Sequence, residues 1–135
     1  MITLGQQTGG PNVAESFNRS VLALRRLLAI LNAADYATET PEFALILRVN
    51  GSLTNFGPEG VESPKLRRGY VQADIVVPEP RWKDEEEAQR LYLASVVGDA
   101  LVAIADRLEK KGRLLNRTKL MSDYAIVRQR FLTEP

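Results

Sequence analysis

Apolar and polar positions along the chain alternate between two periods. Residues 2–7 read as a short strand, ended by Thr8-Gly9-Gly10-Pro11. Asn12 then stands at an N-cap position with Glu15 three residues on, the capping-box spacing. From there Val13, Phe17, Val21, Leu24, Leu27, Leu28 and Leu31 recur in steps of three and four, which predicts a helix over 13–36. At 43–50 the period drops to two: Phe43, Leu45, Leu47 and Val49 share one face, and Ala44, Ile46, Arg48 and Asn50 the other. A second alternating run covers 70–77, with Val71, Ala73, Ile75 and Val77 on one face and Tyr70, Gln72, Asp74 and Val76 on the other. Between the runs, 51–68 carries several glycines and prolines and reads as a long loop or an irregular hairpin, with room for a further short strand.

The helical period returns after Pro78-Glu79-Pro80. Asp84 is a natural N-cap, and Glu85, Glu86 and Glu87 meet the positive end of the helix. Leu91, Val97, Leu101, Ile104, Ala105 and Leu108 form the apolar stripe, and Gly112 is the expected C′ residue, so the helix is predicted over 84–111. Trp82, just ahead of it, is placed to pack on its first turns. A last short helix is expected at 124–131, capped by Ser122 or Asp123, with Tyr124, Val127 and Phe131 on one face. The order is β-α-β-β-α-α. The simplest solution is a single α+β domain over 1–135: a small antiparallel sheet, its 43–50 and 70–77 strands paired antiparallel, packed on one face by two long helices. The other face would show Ile46, Arg48, Tyr70, Gln72 and Val76, a candidate binding surface unless a terminal segment covers it.

Composition removes much chemistry. The 135 residues include no Cys and no His. Disulfides, thiolate nucleophiles, imidazole bases and Cys- or His-based metal sites are therefore excluded. Acid–base chemistry would fall to Asp, Glu, Lys or Tyr. The formal net charge of +1 is too small to mark the whole chain as a nucleic-acid or membrane binder. No apolar run is long enough to span a bilayer. Met1–Gln7 lacks a basic region followed by an apolar core, so a secretory signal is not expected and a cytoplasmic location is.

Few constellations remain. Gly5–Gly10 sits where a phosphate loop would, between strand and helix, but lacks both the G-x-G-x-x-G spacing and the Gly-Lys-Ser/Thr ending, so a plain turn is favoured. Glu59, Glu62 and Asp74 have no spacing that sets two carboxylates across a cleft. Lys65, Arg67 and Arg68 crowd the chain before Tyr70. They can be read as solvated charges, as a protein-binding tip, or as an anion site. Residues 113–135 hold five basic and two acidic side chains; Arg113, Arg117, Lys119, Arg128 and Arg130 are interleaved with Tyr124 and Phe131. That segment carries the alternative reading, a nucleic-acid or anion-binding accessory domain.

The run Gly69-Tyr-Val-Gln-Ala-Asp-Ile-Val-Val-Pro78 leads through Arg81-Trp82 into an acidic-capped helix containing Arg90-Leu-Tyr-Leu-Ala94 and ending in Leu108-Glu-Lys-Lys-Gly112. In layout, residues 43–112 resemble the small bacterial immunity proteins of polymorphic-toxin and contact-dependent-inhibition systems. The resemblance implies an intracellular α+β domain, not an enzyme, that neutralises a cognate toxin or effector by binding and occluding it. It implies a monomer or a homodimer, without cofactor, metal or membrane. The near-neutral charge departs from the acidic members directed against nucleases. The partner-contact residues expected are Glu59, Glu62, Arg67, Arg68 and Tyr70.

Overall fold

The structure is a computed structural model that describes residues 2–8, 15–31, 36, 44–51, 60–77, 85–113 and 115–133. Strands β1 (Ile2–Thr8), β2 (Ala44–Gly51), β3 (Gly60–Val61), β4 (Lys65–Arg67) and β5 (Tyr70–Val76) form one sheet. Helices α1 (Glu15–Leu28), α2 (Glu86–Lys110) and α3 (Arg117–Thr133) complete the chain. The expected order is kept, with β3 and β4 inserted ahead of β5. The fold is α+β in two layers: α1 packs on β1, α2 on β5, and all three helices on one another. The roles expected of Asn12, Val13, Trp82 and Asp84 fall outside the described residues.

Strand direction corrects the antiparallel expectation. β1 pairs with β2 in parallel, Ile2 opposite Leu45, as the crossover through α1 requires. β2 pairs with β5 in parallel too, Leu45 opposite Val71 and Val49 opposite Ile75. The cause lies in 60–67, which forms a strand of its own antiparallel to β5. The chain reverses once to enter that strand and again to leave it, so β5 runs in the direction of β2. The register shifts by one residue between Val61–Ile75 and Lys65–Gln72, so Glu62-Ser63-Pro64 is a bulge. Bulge and proline together blunt this sheet edge.

The predicted core face of β5 holds. Val71, Ala73 and Ile75 are fully buried with Ile2 and Leu4 against the helices, among Phe17, Val21, Leu24 and Leu28 of α1. Leu93, Ala94, Val97, Leu101, Ile104 and Leu108 supply α2's share. Leu91 does not join them: it is 52% exposed. In the heptads of α2 it falls on the flank of Val102, away from Leu101 and Leu108.

The helix ends are decided by named groups. Gly112 takes φ +72°, its N–H bonds the Glu109 carbonyl, and the Arg113 N–H bonds that of Leu108: a Schellman motif, as the glycine predicts. α1 is shorter than expected, passing into turns by 29–31. α3 is longer. Its cap is Asn116, not Ser122 or Asp123: the Asn116 Oδ1 accepts from the Lys119 N–H at 3.1 Å. Tyr124, Val127 and Phe131 are buried as predicted, and Leu120 extends their row by a turn.

Candidate partner-binding surface

β4 and β5 form a hairpin closed by Arg68-Gly69, with Arg67 opposite Tyr70. Only Gly69 has positive φ, +100°, the pattern of a type II turn, which places glycine at the second central position. The pleat sends Leu66 and Val71 toward the core and their neighbours the other way. Lys65, Arg67, Tyr70 and Gln72 therefore share the face turned from the helices, and Arg68 stands at the tip. Lys65, Arg67, Arg68 and Tyr70 are all exposed, Tyr70 at 36%.

The electrostatics of this hairpin are one-sided. The Arg67 guanidinium donates to the carbonyl of its own neighbour, Leu66, at 3.3 Å. Among the described residues none of Lys65, Arg67 and Arg68 has a carboxylate partner. Further along β5 the same face is closed. Asp74 is 5% exposed and Val76 7%. The Gln72 amide donates to both Asp74 carboxylate oxygens, at 3.2 and 3.4 Å. Arg48 stands opposite Asp74 in the ladder. Val76, expected on the open surface, is thus withdrawn from it.

Of the expected contact residues, the fold brings Arg67, Arg68 and Tyr70 together. Glu62 is half-buried at the bulge, its N–H donating to the Asp74 carbonyl at 2.8 Å. Four residues, Ser63 to Leu66, separate it from Arg67, a path of at most roughly 16 Å. Glu59 lies outside the described residues. Lys65 and Gln72 share this surface although neither is among the expected contact residues; Gln72 is expected on the open sheet face and Lys65 in the basic group before Tyr70. The signal was the Lys65-Leu66-Arg67 alternation, obscured by Pro64 and by its length of three residues.

Two cations of the basic 113–130 segment, Arg117 and Lys119, have their charge taken up within the fold. The Arg117 guanidinium reaches Asp106 at 2.8 Å and Glu109 at 3.0 Å, pairs that hold it more firmly protonated than usual. Lys119 pairs with Asp123 at 3.2 Å and lies over the Tyr36 ring. The Tyr36 hydroxyl donates to the same Asp123 carboxylate at 2.7 Å. That hydrogen bond first, and Lys119 second, hold the Asp123 pKa below the usual carboxylate range.

Among the described residues no group of three or more acidic side chains is arranged to hold a metal ion. None of their helices is long and apolar enough to cross a membrane. Comparison with protein-family models, with curated proteins and with solved structures gives no match.

Proposed function

We propose that this chain acts by binding another protein, as an immunity or antitoxin-like partner in the cytoplasm that neutralises a cognate toxin by covering its active site. The observation that carries the reading is the β4–β5 hairpin: Lys65, Arg67 and Arg68 exposed and, among the described residues, without carboxylate partners, beside an exposed Tyr70. Arg and Tyr are the side chains most enriched at interface hot spots. Like charges crowded on one hairpin repel, and an opposite surface relieves that repulsion. The partner's chemistry is therefore an acidic protein surface. The turn at Gly69 and the ladder to β5 hold these side chains on regular backbone, which lowers the ordering cost of association. The nucleic-acid alternative loses ground, because Arg117 and Lys119 already serve carboxylates of this chain.

The test is paired affinity purification from the protein's own cells, wild type beside the Arg67→Ala/Arg68→Ala/Tyr70→Ala variant. One protein at equal stoichiometry should come with the wild type and be missing from the variant. A partner held equally by both would remove the hairpin from the interface. Nucleic acid washed off by salt, with no protein, would end the protein-binding reading.

A further inference from the structure

The two ends of α3 are fastened by groups that share no residue. At its start the fastening is Tyr36, which stands between α1 and β2 in the chain. Tyr36 is 1% exposed. Its carbonyl accepts from the Asn116 N–H at 2.8 Å, and its hydroxyl donates to the Asp123 Oδ2 at 2.7 Å. The Lys119 ammonium lies 5.0 Å from the centre of its ring and pairs with the same Asp123 oxygen at 3.2 Å. One buried residue thus holds α3 from its cap through its first two turns. At the other end the Arg90 guanidinium holds the Phe131 carbonyl and lies over the Phe131 ring.

The contacts of Tyr36 depend on one another. Lys119 and Asp123 are four residues apart and come together only while these turns are helical. The hydroxyl then meets a carboxylate already set in place, a hydrogen bond strengthened by its charge. Arg117 adds ion pairs to Asp106 and Glu109, at a surface where such pairs hold weakly. Helix ends fray, and parts of a protein held by separate contacts open separately.

We propose that Tyr36 is the clasp of a unit that opens on its own. The first two turns of α3 open and close with it, while the last turn, held by Arg90, stays shut. Opening undoes the Lys119–Asp123 pair and the seat of Arg117 on α2, so the clasp controls when these two cations are released from their carboxylates. The device is independent of what the β4–β5 hairpin binds.

Native-state hydrogen exchange, read amide by amide along α3, tests it. Tyr36→Phe keeps the buried ring and removes only the hydroxyl. Amides 120–123 should then exchange about tenfold faster, and amides 130–133 at the wild-type rate. Arg90→Ala should give the reverse pattern. In an Asp123→Ala background, where the acceptor is already gone, Tyr36→Phe should bring no further change. Three results would each overturn the proposal: amides 120–123 indifferent to Tyr36→Phe, an acceleration spread evenly from 120 to 133, or an effect of Tyr36→Phe that is undiminished without Asp123.

Discussion

Gly98 shows how a single atom sets a helix crossing. A glycine inside α2 costs about 1 kcal/mol against alanine. What it allows is the approach of Tyr124: a Cβ at this position would lie 3.2 Å from the ring's Cε2. The Tyr124 hydroxyl donates to the Ala94 carbonyl one turn earlier, so the ring is pinned and cannot slide aside. Its burial also pushes the phenol pKa upward, keeping the donor proton in place. Gly98→Ala should therefore destabilise the protein, by about 1 kcal/mol net of the helix-propensity gain. In a Tyr124→Ala background the same substitution should stabilise, because only the propensity gain remains. Denaturant unfolding of the four proteins measures this coupling, and simple additivity would refute it. Asp123 offers a second residue-scale test. Its pKa is lower folded than unfolded, so as pH falls the unfolded chain takes up the proton first. The stabilisation is complete above the unfolded aspartate value, about 3.9, and is lost as pH falls through the lowered folded value. Thermal midpoints recorded downward from pH 6 should fall less steeply for Asp123→Asn than for the wild type.

At the scale of the element, what was legible and what was not separates by the kind of signal. The core face of β5 follows from period two, and the end of α2 from Gly112, because each depends only on residues close in sequence. α3 begins about two turns ahead of the expected start, because Leu120 and Met121 read as part of a basic tail. Its true start rests on Asn116, and its setting on contacts far along the chain. One is the Asn116 N–H bonded to the Tyr36 carbonyl. Its end is held the same way. Arg90, one turn into α2, donates to the Phe131 carbonyl at 2.6 Å and lies 4.9 Å from that ring's centre. The guanidinium thus serves a carbonyl of the last turn, where the helix dipole favours a cation. Arg90→Ala should cost about 1–2 kcal/mol and speed amide exchange in the last turn of α3. Equal exchange rates there in both proteins would deny Arg90 its capping role. The hairpin is the other element whose form is its content. Gly69→Ala forces a side chain into positive φ at about 1–2 kcal/mol. It should weaken partner capture by re-aiming Arg67 and Arg68, although no contact residue has changed.

For the molecule as a whole, strand direction was the least legible feature, since it depends on how many times the chain reverses between β2 and β5. The bulge at Glu62-Ser63-Pro64 hid a strand from a reading based on alternation, and with it one reversal. The same oversight dispersed the candidate site: Glu62 was grouped with Arg67 along a loop, whereas a strand holds the two apart and gathers Lys65, Arg67 and Tyr70 instead. The net charge of +1 conceals this gathering too, because a basic hairpin must be offset by a surplus of acid elsewhere. Encounter with a partner is governed by the local field, which salt screens over about 10 Å at 0.1 M. The association rate with the captured partner should therefore fall about tenfold or more between low and high salt, with dissociation little changed. The Lys65→Ala/Arg67→Ala/Arg68→Ala variant should associate more slowly at low salt and lose most of that dependence. Stopped-flow mixing across a salt series separates the two rates. A partner whose association ignores salt in the wild type would show that Tyr70 and its apolar surroundings, rather than the cations, make the encounter.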